Sequence, residues 1–115
     1  GIARLALTDS FISLSQAELR AMRPDAWLVN TSRGPIVDEA ALLHALREGW
    51  IAGAALDVYD DEPLPADHPL RSLPNTVLTP HVGYVTVDNY RDWFTTAVRR
   101  IAAWRSGPPE SVLTP

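Results

Sequence analysis

The chain has 115 residues, is 46% hydrophobic and carries a formal net charge of -4, enough for one small domain that buries roughly two thirds of its unfolded surface and too little for two. An acidic sum of charges gives no reason to expect nucleic acid or an anionic membrane as a partner. All ten basic residues are arginine and cysteine is absent, which excludes a Schiff-base or P-loop lysine, a thiol nucleophile, a disulfide framework and a thiolate metal site within these residues.

Residues 1–13 mix apolar and polar positions without a clear period and are left mostly unassigned. Ser15-Gln-Ala-Glu18 has the form of a capping box, with Leu14 and Leu19 as its hydrophobic staple, so a short helix is expected over about Gln16–Met22, ended by Arg23-Pro24-Asp25. Ala26–Asn30 reads as a strand buried on both faces, as parallel strands are. Gly34-Pro35 then turns the chain. Asp38 is placed to cap a second helix, with Val37 and Leu42 as staple, Ala41, Leu42, Ala45 and Leu46 as the apolar face and Gly49 as the left-handed stop.

Ile51–Val58 is the second expected strand, where Gly53 and three alanines would allow a helix to pack closely on the sheet. The proline-rich stretch Tyr59–Asn75 is too long for a casual connection and reads as a functional loop. Thr76–Thr79 is a third strand. A long helix over about Val87–Arg105 places Tyr90, Trp93, Phe94, Ala97, Val98, Ile101 and Trp104 at helical spacing, a stripe read as packing, and ends at Gly107-Pro108-Pro109. Arg99, Arg100 and Arg105 sit where a helix C-terminus favours cations. No apolar run approaches the roughly 20 residues of a membrane helix, and Gly1 opens no signal-peptide pattern, so a soluble, cytoplasmic product is expected.

Strand, helix, strand is a βαβ unit, whose right-handed crossover makes the strands parallel with their carboxyl ends together. Three apolar runs end in chemically capable residues: Trp27–Arg33, Ala54–Asp57 leading to Glu62, and Val77–His81. On one parallel sheet an arginine, two carboxylates and a histidine then emerge at the carboxyl edge, where open α/β folds bind ligands. The fold class expected is a partial Rossmann-like α/β sheet of about three strands with flanking helices and a long C-terminal helix, since a doubly wound sheet has about six strands and a G-x-G-x-x-G that does not occur here. His44 on the second helix and His68 in the loop have no metal-ligand spacing to a partner and read as surface residues, so no metal is expected.

Asn30-Thr-Ser-Arg-Gly-Pro-Ile-Val-Asp-Glu-Ala-Ala-Leu42, Ala54-Ala-Leu-Asp-Val58, Glu62-Pro-Leu64 and Pro80-His-Val-Gly83 together resemble the C-terminal half of the cofactor domain of D-isomer-specific 2-hydroxyacid dehydrogenases, in order from about Ser15 to Gly107. The resemblance implies that residues 1–107 are the later half of an NAD(P)-binding domain, including a return helix over 87–105, with 108–115 as a C-terminal tail. It implies NAD or NADP as cofactor, a small 2-oxo or 2-hydroxy acid as substrate, and a homodimer in the intact enzyme.

Within that resemblance Arg33 holds the substrate carboxylate, a task that suits a planar two-pronged guanidinium. His81 is the general acid that protonates the substrate carbonyl oxygen while hydride reaches the carbon, a step suited to a side chain that titrates around neutral pH. Glu62 pairs with this histidine and fixes its ring. Asp57 lies beside the nicotinamide, Thr31, Ser32 and Gly83 approach the cofactor largely through backbone, and Asn30, Arg33 and His81 complete the expected cofactor contacts. Outside the resemblance each residue has a plainer reading: Arg33 as a surface ion-pair partner, His81 as a turn residue after proline, Glu62 as part of a solvated acidic loop with Asp60 and Asp61, and Asp57 as a cap. A non-catalytic NAD-binding or protein-interaction module on the same scaffold, or a truncated remnant, are the other readings of these blocks. The 115 residues by themselves are expected to be inactive, because pyrophosphate recognition at a glycine-rich turn is missing.

Overall fold

The computed structural model describes residues 14–107, which fall into two compact units, 14–82 and 83–107. The unassigned stretch 1–13, the prolines after Gly107 and the tail 108–115 lie outside the described residues.

In the first unit, helix α1 (Gln16–Ala21) starts where the sequence places it. The Ser15 hydroxyl accepts from the Ala17 amide and Glu18 reaches back to the Ser15 amide at 2.8 Å, which satisfies two of the donors a helix start leaves open. Strand β1 (Trp27–Asn30) follows. A single 3-10 turn over Gly34–Ile36 leads to α2 (Glu39–Arg47), where Asp38 accepts from the Ala41 amide at 3.0 Å. Gly49 then adopts φ 67°, the left-handed stop that a side chain would penalise. Strand β2 (Gly53–Leu56), a 3-10 turn over Pro69–Ser72 and strand β3 (Thr76–Leu78) complete the unit.

The three strands form one parallel sheet in the order β1-β2-β3, with Leu28 beside Ala54, Asn30 beside Leu56 and Leu56 beside Leu78. Leu28, Ala54 and Leu56 join Leu19 of α1 and Ala41, Leu42, Ala45 and Leu46 of α2 in one core, closed by Ile51, Tyr59, Leu64 and Leu70. Each fully buried aliphatic side chain of this kind stabilises the unit by about 1.5–3 kcal/mol. The apolar face of α2 is therefore buried as its spacing requires, with Val37 and Leu42 in the same core and Leu14 packed against it.

Two expectations need correction. Strand β1 is not buried on both faces: its pattern alternates, with Trp27 43% and Val29 46% exposed, and Val77 of β3 is 54% exposed. The helices cover one face only, so neighbouring parallel residues Val29, Ala55 and Val77 line the other. Gly53 serves a different contact from the one expected. A Cβ there would lie 2.6 Å from the Asn75 carbonyl oxygen and from the Trp27 ring, so glycine lets the indole and the β3 approach lie flat against β2.

The second unit is helix α3 (Val87–Ser106), capped by the Thr86 hydroxyl accepting from the Asn89 amide at 3.2 Å. Tyr84 stacks on Trp93 and Tyr90 on Phe94, with ring centroids 5.7 and 6.0 Å apart. None of its residues is buried, so among the described residues the stripe read as packing stays on the surface. No described helix is long and apolar enough to cross a membrane.

Candidate active site

The first unit places the candidate residues on three loops that leave the carboxyl ends of the strands. After β1, the Asn30 side chain closes the turn: Nδ2 donates to the Arg33 carbonyl at 2.9 Å and Oδ1 accepts from the Ser32 amide at 3.1 Å. Asn30 is buried, so its amide shapes this turn from within, while Thr31 and Arg33 are exposed at its tip and Ser32 is half-buried. Arg33 Nη1 donates to the Ser32 carbonyl at 2.6 Å. The turn can run this close to its neighbour because residue 34 is glycine. A Cβ on Gly34 would meet the Tyr59 carbonyl carbon at 2.1 Å and the Asp60 amide nitrogen at 2.5 Å.

After β2, Asp57 is buried and its Oδ1 accepts from the Thr79 hydroxyl at 2.5 Å and from the Val82 amide at 3.0 Å. The chain then folds over itself, and the Tyr59 amide donates to Glu62 Oε1 at 3.0 Å. The Glu62–Pro63 peptide is cis. Arg71 ties the rest of this loop by donating to the Leu64 carbonyl at 2.7 Å and the Pro65 carbonyl at 2.8 Å. The long proline-rich stretch is thus an ordered loop, held by polar bonds and by the buried side chains of Leu64 and Leu70.

After β3, His81 takes φ 55°, a left-handed conformation uncommon for a residue with a side chain. Its Nδ1 lies 2.6 Å from Glu62 Oε2, with both side chains about one third exposed. The Glu62 carboxyl is lowered from the usual carboxylate value by the His81 hydrogen bond first, then by the Tyr59 amide, and further by the charges of His81 and Arg33. Arg33 and His81, which lie on separate loops, therefore both act on the Glu62 carboxyl in the folded unit. A cavity of about 450 Å³ opens beside the pair, lined among others by Tyr59, Leu64, Arg71 and Leu78, within the size range of small-molecule sites. Gly83 is the first residue of the second unit.

Sequence reasoning passed over three residues here. Tyr59, buried under the site, and Thr79, exposed before Pro80, make the bonds described above and below, yet a lone tyrosine and a lone threonine carry no spacing signal. His68 was read as a surface residue but is half-buried. Its Nδ1 accepts from the Leu70 amide at 3.3 Å and Nε2 lies 3.0 Å from Glu39, which ties the loop to α2. His44 is exposed, edge-on to the Trp50 ring at 4.8 Å. Among the described residues no group of three His, Asp or Glu is placed to hold a metal ion.

Residues 5–83 match the family model for the NAD binding domain of D-isomer specific 2-hydroxyacid dehydrogenases. The chain is 44% identical over 106 residues to a glyoxylate reductase of Thermofilum pendens, covering 90% of this chain and 31% of that protein. Among solved structures it resembles a D-lactate dehydrogenase from Sporolactobacillus, with TM-score 0.82 and 31% identity over 94% of this chain and 37% of that one. It also resembles the NADPH-dependent glyoxylate/hydroxypyruvate reductase of Sinorhizobium meliloti solved with citrate, with TM-score 0.77 and 38% identity over 86% of this chain and 31% of that one. The chain spans about a third of the length of the curated relatives it matches. Three parallel strands, the loops at their carboxyl ends and this match agree: the chain belongs to the D-isomer-specific 2-hydroxyacid dehydrogenases, within their NAD-binding domain.

Proposed function

We propose that this chain is the catalytic C-terminal part of an NAD(P)-dependent oxidoreductase that interconverts a small 2-oxo acid and its D-2-hydroxy acid. The single observation that carries this reading is the Glu62–His81 pair at 2.6 Å, under the charge of Arg33, at the carboxyl edge of a parallel sheet. A non-catalytic binding module has no physical need for all three residues. The names of the relatives, glyoxylate and hydroxypyruvate reductases, favour a short 2-oxo acid as substrate.

The residues present suit the nicotinamide end of the cofactor. The exposed turn Thr31–Arg33 offers backbone groups at the sheet edge, and Asp57 is an ionisable group held at the end of β2 by two donors. Thr31, Ser32 and Asp57 would hold that end, Asn30 would contribute by shaping the turn, and the family resemblance adds Gly83 to the cofactor contacts. When bound, NAD or NADP supplies the hydride that reduces the carbonyl carbon. Arg33 binds the carboxylate of the oxo acid and orients its carbonyl. Glu62 engages His81 Nδ1, which fixes the ring and assigns the proton transfer to Nε2; that nitrogen protonates the carbonyl oxygen in reduction and takes the proton back in oxidation.

The same reading assigns residues 1–107 to the later half of the cofactor domain with its return helix over 87–105, and 108–115 to a tail. It makes the intact enzyme a cytoplasmic homodimer and leaves the 115 residues alone without turnover. The test is His81→Gln in the full-length enzyme. Turnover of glyoxylate with NADH or NADPH is expected to fall by about a hundredfold or more, while fluorescence titration of the reduced cofactor is nearly unchanged. Retained turnover would remove His81 from the mechanism, whereas a full-length parent that binds the cofactor without turnover would make a binding module the better reading.

A further inference from the structure

Thr79 has every polar group held. Its amide donates to the Leu56 carbonyl at 3.0 Å, its hydroxyl to Asp57 Oδ1 at 2.5 Å, and its carbonyl accepts from the Tyr59 hydroxyl at 2.9 Å. Two residues after Pro80 intervenes, the Val82 amide returns to the same Asp57 oxygen at 3.0 Å. The backbone is thus pinned on both sides of Pro80-His81. Proline fixes its own φ and has no amide hydrogen to place. His81 between these pins is the residue at φ 55°, and a left-handed residue with a side chain costs of order 1 kcal/mol, so it persists only where the surroundings over-determine it.

Tyr59 acts on both members of the pair. Its phenol is buried and sits 3.0 Å from the Leu56 carbonyl as well as 2.9 Å from that of Thr79, which ties the ends of β2 and β3 together. Its amide donates to Glu62 Oε1 at 3.0 Å, opposite the oxygen that meets His81. Displacing Tyr59 would therefore move the carboxylate and release the strand end that leads to the imidazole.

We propose that Tyr59 and Thr79 are positioning residues: they clamp the left-handed His81 turn so that Nδ1 meets the Glu62 carboxylate. For catalysis the inference rests on the proposed role of that pair, while the clamp itself is a property of the first unit. Because a short, aligned contact is sensitive to small displacements, loss of either hydroxyl should weaken the pairing well before it unfolds the unit.

The test uses the 115-residue chain, labelled with carbon-13 at its side-chain carboxyls, as the parent and as Tyr59→Phe, Thr79→Val and Thr79→Ser. Glu62 in the parent is expected to titrate below the usual carboxylate range, as should Glu18 and Asp25, which have their own partners elsewhere and serve as controls. Tyr59→Phe and Thr79→Val should raise the Glu62 midpoint by about half a unit or more, Thr79→Ser should restore the parent value, and the controls should stay put. An unmoved Glu62 midpoint in a folded Tyr59→Phe chain overturns the proposal; that variant keeps the buried ring and decides the matter if Thr79→Val does not fold. In the full-length enzyme Tyr59→Phe should lower kcat by about tenfold or more with a smaller change in KM. A shifted Glu62 midpoint with unchanged kcat would leave the clamp standing and refute the catalytic reading of the pair instead.

Discussion

Glu62 is held ionised by the His81 imidazole, the Tyr59 amide and the Arg33 charge, and its carboxyl in the fold lies below the ordinary value of 4.5. A lowered carboxyl stabilises the folded state above its unfolded value, and that contribution is lost as pH falls through the lowered one. Urea unfolding should therefore show the parent more stable than Glu62→Gln at about pH 7, with the difference shrinking below pH 4.5 and lost as pH falls through the lowered value. A difference that does not depend on pH would assign the effect to packing. Gly34 is a second residue whose identity is dictated by its neighbours. With a Cβ placed 2.1 Å from the Tyr59 carbonyl carbon, Gly34→Ala forces two backbones apart and should cost about 3 kcal/mol in a denaturant titration, at the upper end for an overpacked site. Arg33 and His81 could be named from the sequence because each closely follows an apolar run, and Glu62 because its Glu-Pro-Leu block resembles the family's. Tyr59 and Thr79 could not, because their importance lies in which carbonyl and which carboxylate they reach.

Among the elements, α2 is the most fully written in local sequence. Asp38 caps it, Val37 and Leu42 staple it, its four apolar positions are all buried, and Gly49 ends it. Replacing Asp38 with Ala removes the acceptor for the Ala41 amide and should cost about 1 kcal/mol, read as a lower denaturant midpoint with an unchanged slope. The strands were legible as strands, but their ends were drawn too long. Ile51 and Ala52 lie before β2, and Asp57 and Val58 after it. Apolar character continues through a buried turn as readily as along a ladder, so composition does not mark where pairing stops. The exposed face of β1 was misread for the same reason: an apolar run looks alike whether both faces are covered or one.

At the scale of the whole molecule the chain carries more exposed apolar side chain than a small monomer usually does. Trp27, Val29 and Val77 lie on the sheet, and Trp93, Phe94, Val98, Ile101 and Trp104 on α3 are each more than half exposed. The 115 residues alone should therefore self-associate. Sedimentation velocity over a wide concentration range is expected to show species that grow with concentration, and Val29→Thr with Val77→Thr should reduce them. A single monomer peak throughout would show that these faces are tolerated in water. The relatives are about three times as long as this chain, and the described residues hold the candidate site without a glycine-rich turn of the kind that recognises pyrophosphate.

Local sequence determined the element types, the helix caps and the parallel sense of the βαβ unit, because caps, periodicity and strand-end position act over a few residues, and the family resemblance of its motifs pointed to Arg33, Glu62 and His81 as candidates. The tertiary structure decided what depends on contacts between distant segments: the 2.6 Å meeting of Glu62 with His81, the left-handed turn that permits it, and the backbone approach of Gly34 to Tyr59. It also decided which face of the sheet is covered. Those features arise where one loop's donors meet another loop's acceptors, and no spacing along a single segment encodes such a meeting.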